Sequence, residues 1–307
     1  MRSRDSNRIK LKDKTQNNTN KPGISNITLY LIFFLVLTII FLITTVVFII
    51  LYIKEKKDND SDKNSEKKNK PISDVSNYYP TQERFIPVKS KMTELEGGYL
   101  YQGRHDILDT PYFNFIDIYN TKSSGSLVLL ENFKTYQQTS EISCGPASLI
   151  MAVYYLDGTI LDEAEISEKA GTNETGTFPK NLEKVVKDLG YSLESKYNFS
   201  NDDDLPTKNE STFSKYIKES LKNKQPIIVC SNDWGGHYSV IIGYDDMGTD
   251  DYISDDIIIL ADPYDISDHI SDGYTIFSYE RFYWQMSIDI FQITDWNFYF
   301  IKVLPKK

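Results

Sequence analysis

Residues 27–53 run without a charge, a proline or a glycine. As a helix this segment would be roughly 40 Å long, and about 20 residues suffice to cross the hydrocarbon core of a bilayer. A core helix of that length would need neighbours to cover it, yet both flanks are polar: an Asn- and Lys-rich stretch before it and a mixed-charge run, residues 54–70, after it. A cleaved signal peptide has an apolar region of about 7–15 residues that ends at small residues. Here the first alanine is Ala147, and the first cysteine, which a lipoprotein site would require, is Cys144. The segment reads as an uncleaved single-pass anchor contacting membrane lipid. Residues 1–26 carry 7 basic and 2 acidic side chains, so the positive-inside rule places this tail in the cytoplasm and the C-terminal part outside. The raw Lys/Arg count on the other flank is also 7, with 5 acidic residues. The short tail and large C-terminal part favour the same orientation. The Asn, Lys and Ile content suits a bacterium with a single membrane.

Charge divides at the same place. The first 70 residues hold 14 basic and 7 acidic side chains, and the rest hold 20 and 37, so a net of +7 is joined to a net of −17. The acidic part is the one with apolar periodicity. Its sign argues against nucleic acid as a partner and for cationic or neutral ligands. Two cysteines exclude a disulfide scaffold. The expected organisation is a disordered tail (1–26), the membrane helix (27–53), a charged flexible tether (54–76), an extended arm packing on the domain (77–125) and a folded domain (126–307).

Within that domain, residues 126–130 read as a strand and residues 144–156 as a largely buried helix with Pro146 near its start. A second helix spans 178–189, with Pro179 at its first position and Gly190 as its C-cap. Phe213, Ile217 and Leu221 mark a third. Strands are expected at 226–230, 238–244, 257–261, 274–277 and 298–303. Helices followed by antiparallel strands make an α+β fold.

Four residues in this pattern can carry chemistry. Cys144 stands where a loop turns into a helix, and the partial positive charge of a helix N-terminus favours thiolate. Cys144 is followed by Gly145 and Pro146, which permit a tight entry into the helix. A thiolate nucleophile needs a base, and the chain has three histidines. His237 opens a hydrophobic strand directly after Gly235 and Gly236, which would keep its face open. Asp262, at the end of a strand that would neighbour that of His237, can orient the imidazole; an Asp-Pro turn is the competing explanation. Gln138, six residues before Cys144, offers a side-chain amide for a developing oxyanion, and adjacent Gln137 is the alternative.

The order Gln, Cys, His, Asp resembles papain-like cysteine peptidases of family thirty-nine, in the stand-alone branch related to bacteriocin-processing peptidases. The resemblance spans residues 111–303. It rests on Phe133-Lys134-Thr135-Tyr136-Gln137-Gln138, Cys144-Gly145-Pro146-Ala147, Trp234-Gly235-Gly236-His237, Gly243-Tyr244-Asp245 and Ala261-Asp262-Pro263-Tyr264-Asp265. It implies a papain-like fold with Cys144 as nucleophile, His237 as base, Asp262 as orienting residue and Gln138 as oxyanion donor. The best-known members are cytoplasmic domains of peptide exporters that cut after a double glycine. This chain lacks a G-x-x-x-x-G-K-[ST] phosphate loop, so that specificity is not carried over.

The resulting expectation is a membrane-anchored, outward-facing cysteine peptidase acting on a peptide or protein without a cofactor. The alternatives are an idle peptide-binding module on the same fold, and a cell-wall amidase or acyltransferase with the same thiol chemistry. The acidic stretch 245–256 is expected as a hairpin insertion near the site. Cys230 reads as a core residue, with a Cys144–Cys230 disulfide as a rival. The run Asp262, Asp265, Asp268, His269, Asp272 reads as a solvated loop rather than a calcium or other metal site.

Overall fold

Apolar blocks separated by Gly- and Asp-rich turns produce seven strands and five α-helices among the residues described after residue 81. The computed structural model describes residues 35, 38, 44, 45, 82–93, 97–103, 116–249, 251–266, 270–287 and 295–306. The chain divides into Met1–Ser73 and Asp74–Lys307. In the first unit only Leu35, Thr38, Thr44 and Thr45 are described, all helical. The rest of the expected tail and anchor, and the tether at 54–76, lie outside the described residues. Among the described residues no helix is long and apolar enough to cross a membrane.

The elements of the second unit are β1 (Leu127–Leu129), α1 (Cys144–Asp157), α2 (Glu163–Ala170), α3 (Pro179–Asp188), β2 (Tyr191–Ser195), α4 (Glu210–Lys222), β3 (Ile227–Ser231), β4 (His237–Asp245), β5 (Ile257–Ala261), β6 (Tyr274–Ser278), α5 (Tyr279–Gln285) and β7 (Phe300–Lys306). The strands form one antiparallel sheet in the order β2-β7-β3-β4-β5-β6. β1 pairs with β4 at Gly243–Asp245, beyond Ile241, where the β3 register ends. The α+β expectation therefore holds.

Helix α1 forms the centre. Its first ten residues, Cys144 to Val153, are all buried, and it packs on β3, β4 and β7. A helix apolar on every side belongs inside the domain. It ends at Gly158, whose φ of 76° supplies the left-handed cap. Helices α2 and α3 pack against it. α4 buries Phe213, Ile217 and Leu221 at the expected spacing of four. All of β3 and β4 up to Tyr244 is buried, as for strands covered on both faces.

Several boundaries differ from the sequence reading. α3 ends at Asp188 with Leu189 as its cap; Gly190, at φ 86°, takes the left-handed position one residue later. β7 starts at Phe300, not 298, because Phe298 has φ 48° and cannot continue an extended chain. β3 starts at Ile227, after a proline without a ladder donor. Three elements were not anticipated: α2, β2 and α5. The Asp162 carboxylate caps α2 by accepting from the Ala164 and Glu165 N–H groups. That residue starts an Asp-x-x-Glu signature readable in the sequence. β2 is a half-exposed edge strand, and α5 is an aromatic-rich turn whose composition suggests a strand.

Candidate active site

Cys144 is the first residue of α1. The preceding Ser143 makes no side-chain cap; its hydroxyl is turned instead to Glu163 Oε1 at 2.6 Å. The N-terminal N–H groups of α1, Cys144 among them, are therefore free of a side-chain cap acceptor, and Pro146 removes one orphan donor. Gly145 is required by close packing: a Cβ there would sit 3.0 Å from Thr177 Cβ and 3.4 Å from Tyr238 Cδ2.

His237 opens β4 after two glycines with positive φ, 85° at Gly235 and 134° at Gly236. Trp234 before them is itself left-handed, at φ 55° and 72% exposed. The β4–β5 register pairs Val240 with Ala261. Continued by one step, it sets Asp262 opposite Ser239, two residues from His237 and on the same face, the diagonal relation that long side chains span. His237 Nε2 and Asp262 Oδ1 are 2.7 Å apart. This leaves Nδ1 as the ring nitrogen available to a thiol. Burial presses the His237 pKa down, but the Asp262 carboxylate and its hydrogen bond, with hydrogen bonding and charge from Cys144, hold it well above the usual imidazole value. The Asp262 carboxylate also accepts from the Tyr264 N–H at 2.8 Å.

Gln137 and Gln138 meet different surroundings. Gln138 lines a hollow of about 350 Å³ together with Cys144, His237, Trp234 and Tyr264. Its Nε2 donates to Ser140 O at 2.6 Å and retains a second hydrogen. Gln137 does not line that hollow. Its Nε2 donates to Asp262 O at 2.7 Å and its Oε1 accepts from Asp265 N. All four predicted residues are thus brought together, with Gln137 supporting them.

Other predicted features fall elsewhere. The acidic turn 245–256 was expected near the site. It follows the last residue of β4, and β4 carries His237 at its first, so the turn begins about 26 Å away at 3.3 Å per strand residue. Cys230 is buried, and both cysteines are free. Burial raises the Cys230 pKa. In the Asp-rich loop, Asp265 Oδ2 accepts from Gly273 N and Asp272 Oδ1 from Tyr274 N, while Asp268 and His269 lie outside the described residues. Among the described residues no group of three or more His, Cys, Asp or Glu is placed to hold a metal.

Two groups went unrecognised in the sequence. Glu163, fully buried at the start of α2, accepts from Tyr136 Oη (2.8 Å), Thr139 N (2.9 Å), Thr139 Oγ1 (2.8 Å) and Ser143 Oγ (2.6 Å). Burial raises its pKa, although these hydrogen bonds oppose the rise. The second group lines a larger hollow of about 410 Å³ that also borders Cys144, where Phe178 and Trp296 stack with centroids 4.9 Å apart. Trp296 Nε1 donates to Tyr238 Oη at 3.0 Å, and Tyr238 Oη donates to Thr177 O.

Residues 130–288, just over half of the chain, match the Peptidase_C39 like family. Among solved structures, the peptidase domain of Streptococcus ComA, a bifunctional ABC transporter involved in quorum sensing, is 23% identical, with a TM-score of 0.37 over 56% of this chain and 98% of that one. A double glycine motif protease from an AMS/PCAT transporter, solved with its leader peptide, is 16% identical, with a TM-score of 0.36 over 56% and 90%. Xylellain, a cysteine protease from Xylella fastidiosa, is 15% identical, with a TM-score of 0.38 over 72% and 100%. No curated protein matches the chain.

Proposed function

The chain belongs to the Peptidase_C39 like family and is a cysteine-type peptidase of papain-like fold, and we propose that it hydrolyses peptide bonds through Cys144, His237, Asp262 and Gln138. One observation carries this reading. His237 is held by Asp262 at 2.7 Å through one ring nitrogen while it lines the same hollow as Cys144 and Gln138.

Each step then has an owner. The Cys144 sulfur attacks the carbonyl carbon of the scissile bond. The carbonyl oxygen becomes an oxyanion, held by the second Nε2 hydrogen of Gln138 and the Cys144 backbone N–H. His237 carries the thiol proton and delivers it to the departing amine, leaving a thioester. Water adds to the thioester and gives a proton to His237. The acid leaves, and the proton returns to sulfur. Asp262 fixes the ring and stabilises its charged form throughout.

Alkylation tests the pair without a known substrate. Iodoacetamide is expected to label Cys144 rapidly at pH 5–6, as peptide mapping against Cys230 resolves, and His237→Ala is expected to remove that reactivity. Reaction at one rate in both proteins would return the reading to a binding module on the same fold. Cys144→Ala should abolish peptide cleavage while the fold persists.

The uncharged segment 27–53 supports placing this chemistry on the outer face of a membrane, tethered by residues 54–76. The full chain should stay in the membrane fraction after a carbonate wash; release into the supernatant would remove the anchor from the proposal.

A further inference from the structure

Cys144 lines two adjoining hollows, which share Glu141, Ile142, Trp234 and Gly236 as well. His237 and Gln138 line only the smaller one. In the reading above His237 hands its proton to the departing amine, so the leaving-group side of a substrate lies in the smaller hollow. The acyl side, the residues before the cut, then runs into the larger hollow.

That larger hollow has an aromatic and acidic lining. Phe178, Trp296 and Tyr238 form an aromatic wall, with Trp234 at the edge. Gly176, Gly235 and Gly236 line it at positive φ, and a Cβ at any of the three would meet nothing within 4 Å, so a peptide backbone can come close. Its charged lining residues are Glu174 and Glu141, the latter also bordering the smaller hollow, both exposed, and no lysine or arginine lines it. Among the described residues neither glutamate is ion-paired. Lys180, two residues from Phe178, is engaged with Asp295 at 3.6 Å and with the Tyr197 ring. A long aliphatic stem fits along aromatic faces and a cation is attracted by both the rings and the carboxylates. The surrounding domain, with its net charge of −17 beyond residue 70, draws in cationic peptides.

We propose that this hollow is the acyl-side specificity subsite and that it takes a lysine or arginine side chain, its stem on Phe178 and Trp296 and its cation at Glu141 and Glu174. The inference rests on Cys144 being the nucleophile, and the test separates the two. The full chain is treated with N-acetyl-dipeptidyl vinyl sulfones whose two residues are both Lys, both Leu, both Gly or both Glu, and labelling of Cys144 is followed by intact mass. Two exposed carboxylates correspond to roughly a three- to tenfold preference, so the Lys probe should label Cys144 about that much faster than the Leu probe and faster still than the Glu probe. In the Glu141→Gln, Glu174→Gln double variant the Lys-to-Leu ratio should fall toward one. Labelling by the Leu probe at least as fast as by the Lys probe overturns the basic subsite and leaves the nucleophile standing. An unchanged ratio in the double variant overturns the role of the two glutamates. If none of the four probes labels Cys144, the nucleophile reading and the subsite fall together.

Discussion

Replacing Asp262 by Asn keeps the shape of the His237 partner and removes its charge. The contact is short, 2.7 Å, and both side chains are well buried, with 6% exposure for His237 and 15% for Asp262. At an effective dielectric of about 20 the gross attraction of two such charges is about 6 kcal/mol. Desolvation of both partners offsets much of this, and a hydrogen bond between charged groups nets about 1.5–3 kcal/mol. At about 1.4 kcal/mol per tenfold change, the His237 proton affinity should fall roughly ten- to a hundredfold in Asp262→Asn. The sign follows from the causes. Burial, the largest influence on His237, acts downward and is outweighed only with the help of Asp262. Without that carboxylate the titration midpoint should drop from its raised position, because burial, which acts downward, is then opposed by Cys144 alone. The assay is the ring C2–H resonance against pH, which is simple to assign because the chain has three histidines and His237→Ala identifies the relevant one. Stability should track the same protonation. A raised histidine contributes stability that is present below its unfolded value, about 6.5, and is lost as pH rises through the folded midpoint. The wild type should therefore exceed Asp262→Asn by the most at about pH 5–6.5, and the gap should narrow above the folded midpoint. A midpoint that does not move, or a stability gap independent of pH, would refute the pairing argument.

Two further outcomes follow from the neighbouring residues. Gln138→Ala should lower kcat by about 10²–10³ with little change in KM, as loss of one oxyanion donor does; a change under twofold, read with any cleaved peptide, would remove Gln138 from the mechanism. Glu163→Gln should cost about 2–3 kcal/mol in denaturant unfolding, because an amide presents hydrogens to donors that now face a carboxylate; a loss below about 0.5 kcal/mol would show that those donors find other partners.

The candidate residues were legible where the signal was local. A cysteine before Gly-Pro at the onset of an apolar run marks a helix start, and α1 begins at that residue. Two glycines ahead of His237 mark a turn into a strand, and the antiparallel pairing of β4 with β5 carries Asp262 to the same end of the sheet. What was illegible depends on contacts distant in sequence. Trp296 reaches Tyr238 across 58 residues, and Tyr136 reaches Glu163 across 27, with no periodicity linking either pair. The acidic turn was misplaced because sequence proximity to His237 says nothing about direction along β4. A nine-residue strand moves the chain from one end of the sheet to the other.

The segment bearing Gln138 is held by other parts of the chain rather than by regular structure of its own. The Gln138 N–H donates to Pro263 O, and its carbonyl accepts from the Tyr99 N–H, both at 2.8 Å. On one side Gln137 bonds the main chain at Asp262 and Asp265; on the other Thr139 bonds Glu163 of α2. Gln138 and Asp262 thus sit on loops stapled to each other, and a shift of one carries the other with it. The Tyr99 donor belongs to the turn 97–103. There a Cβ on Gly97 would lie 2.6 Å from Gln138 O, and one on Gly98 would lie 2.5 Å from Pro263 O. Only glycine allows that turn to reach both loops at once. A domain boundary drawn at residue 126 would cut away this support and leave the Gln138 carbonyl without its donor. The turn 97–103 is therefore a structural support of the candidate site, and in the proposed mechanism the preorganisation of Gln138 depends on residues some forty positions upstream of it.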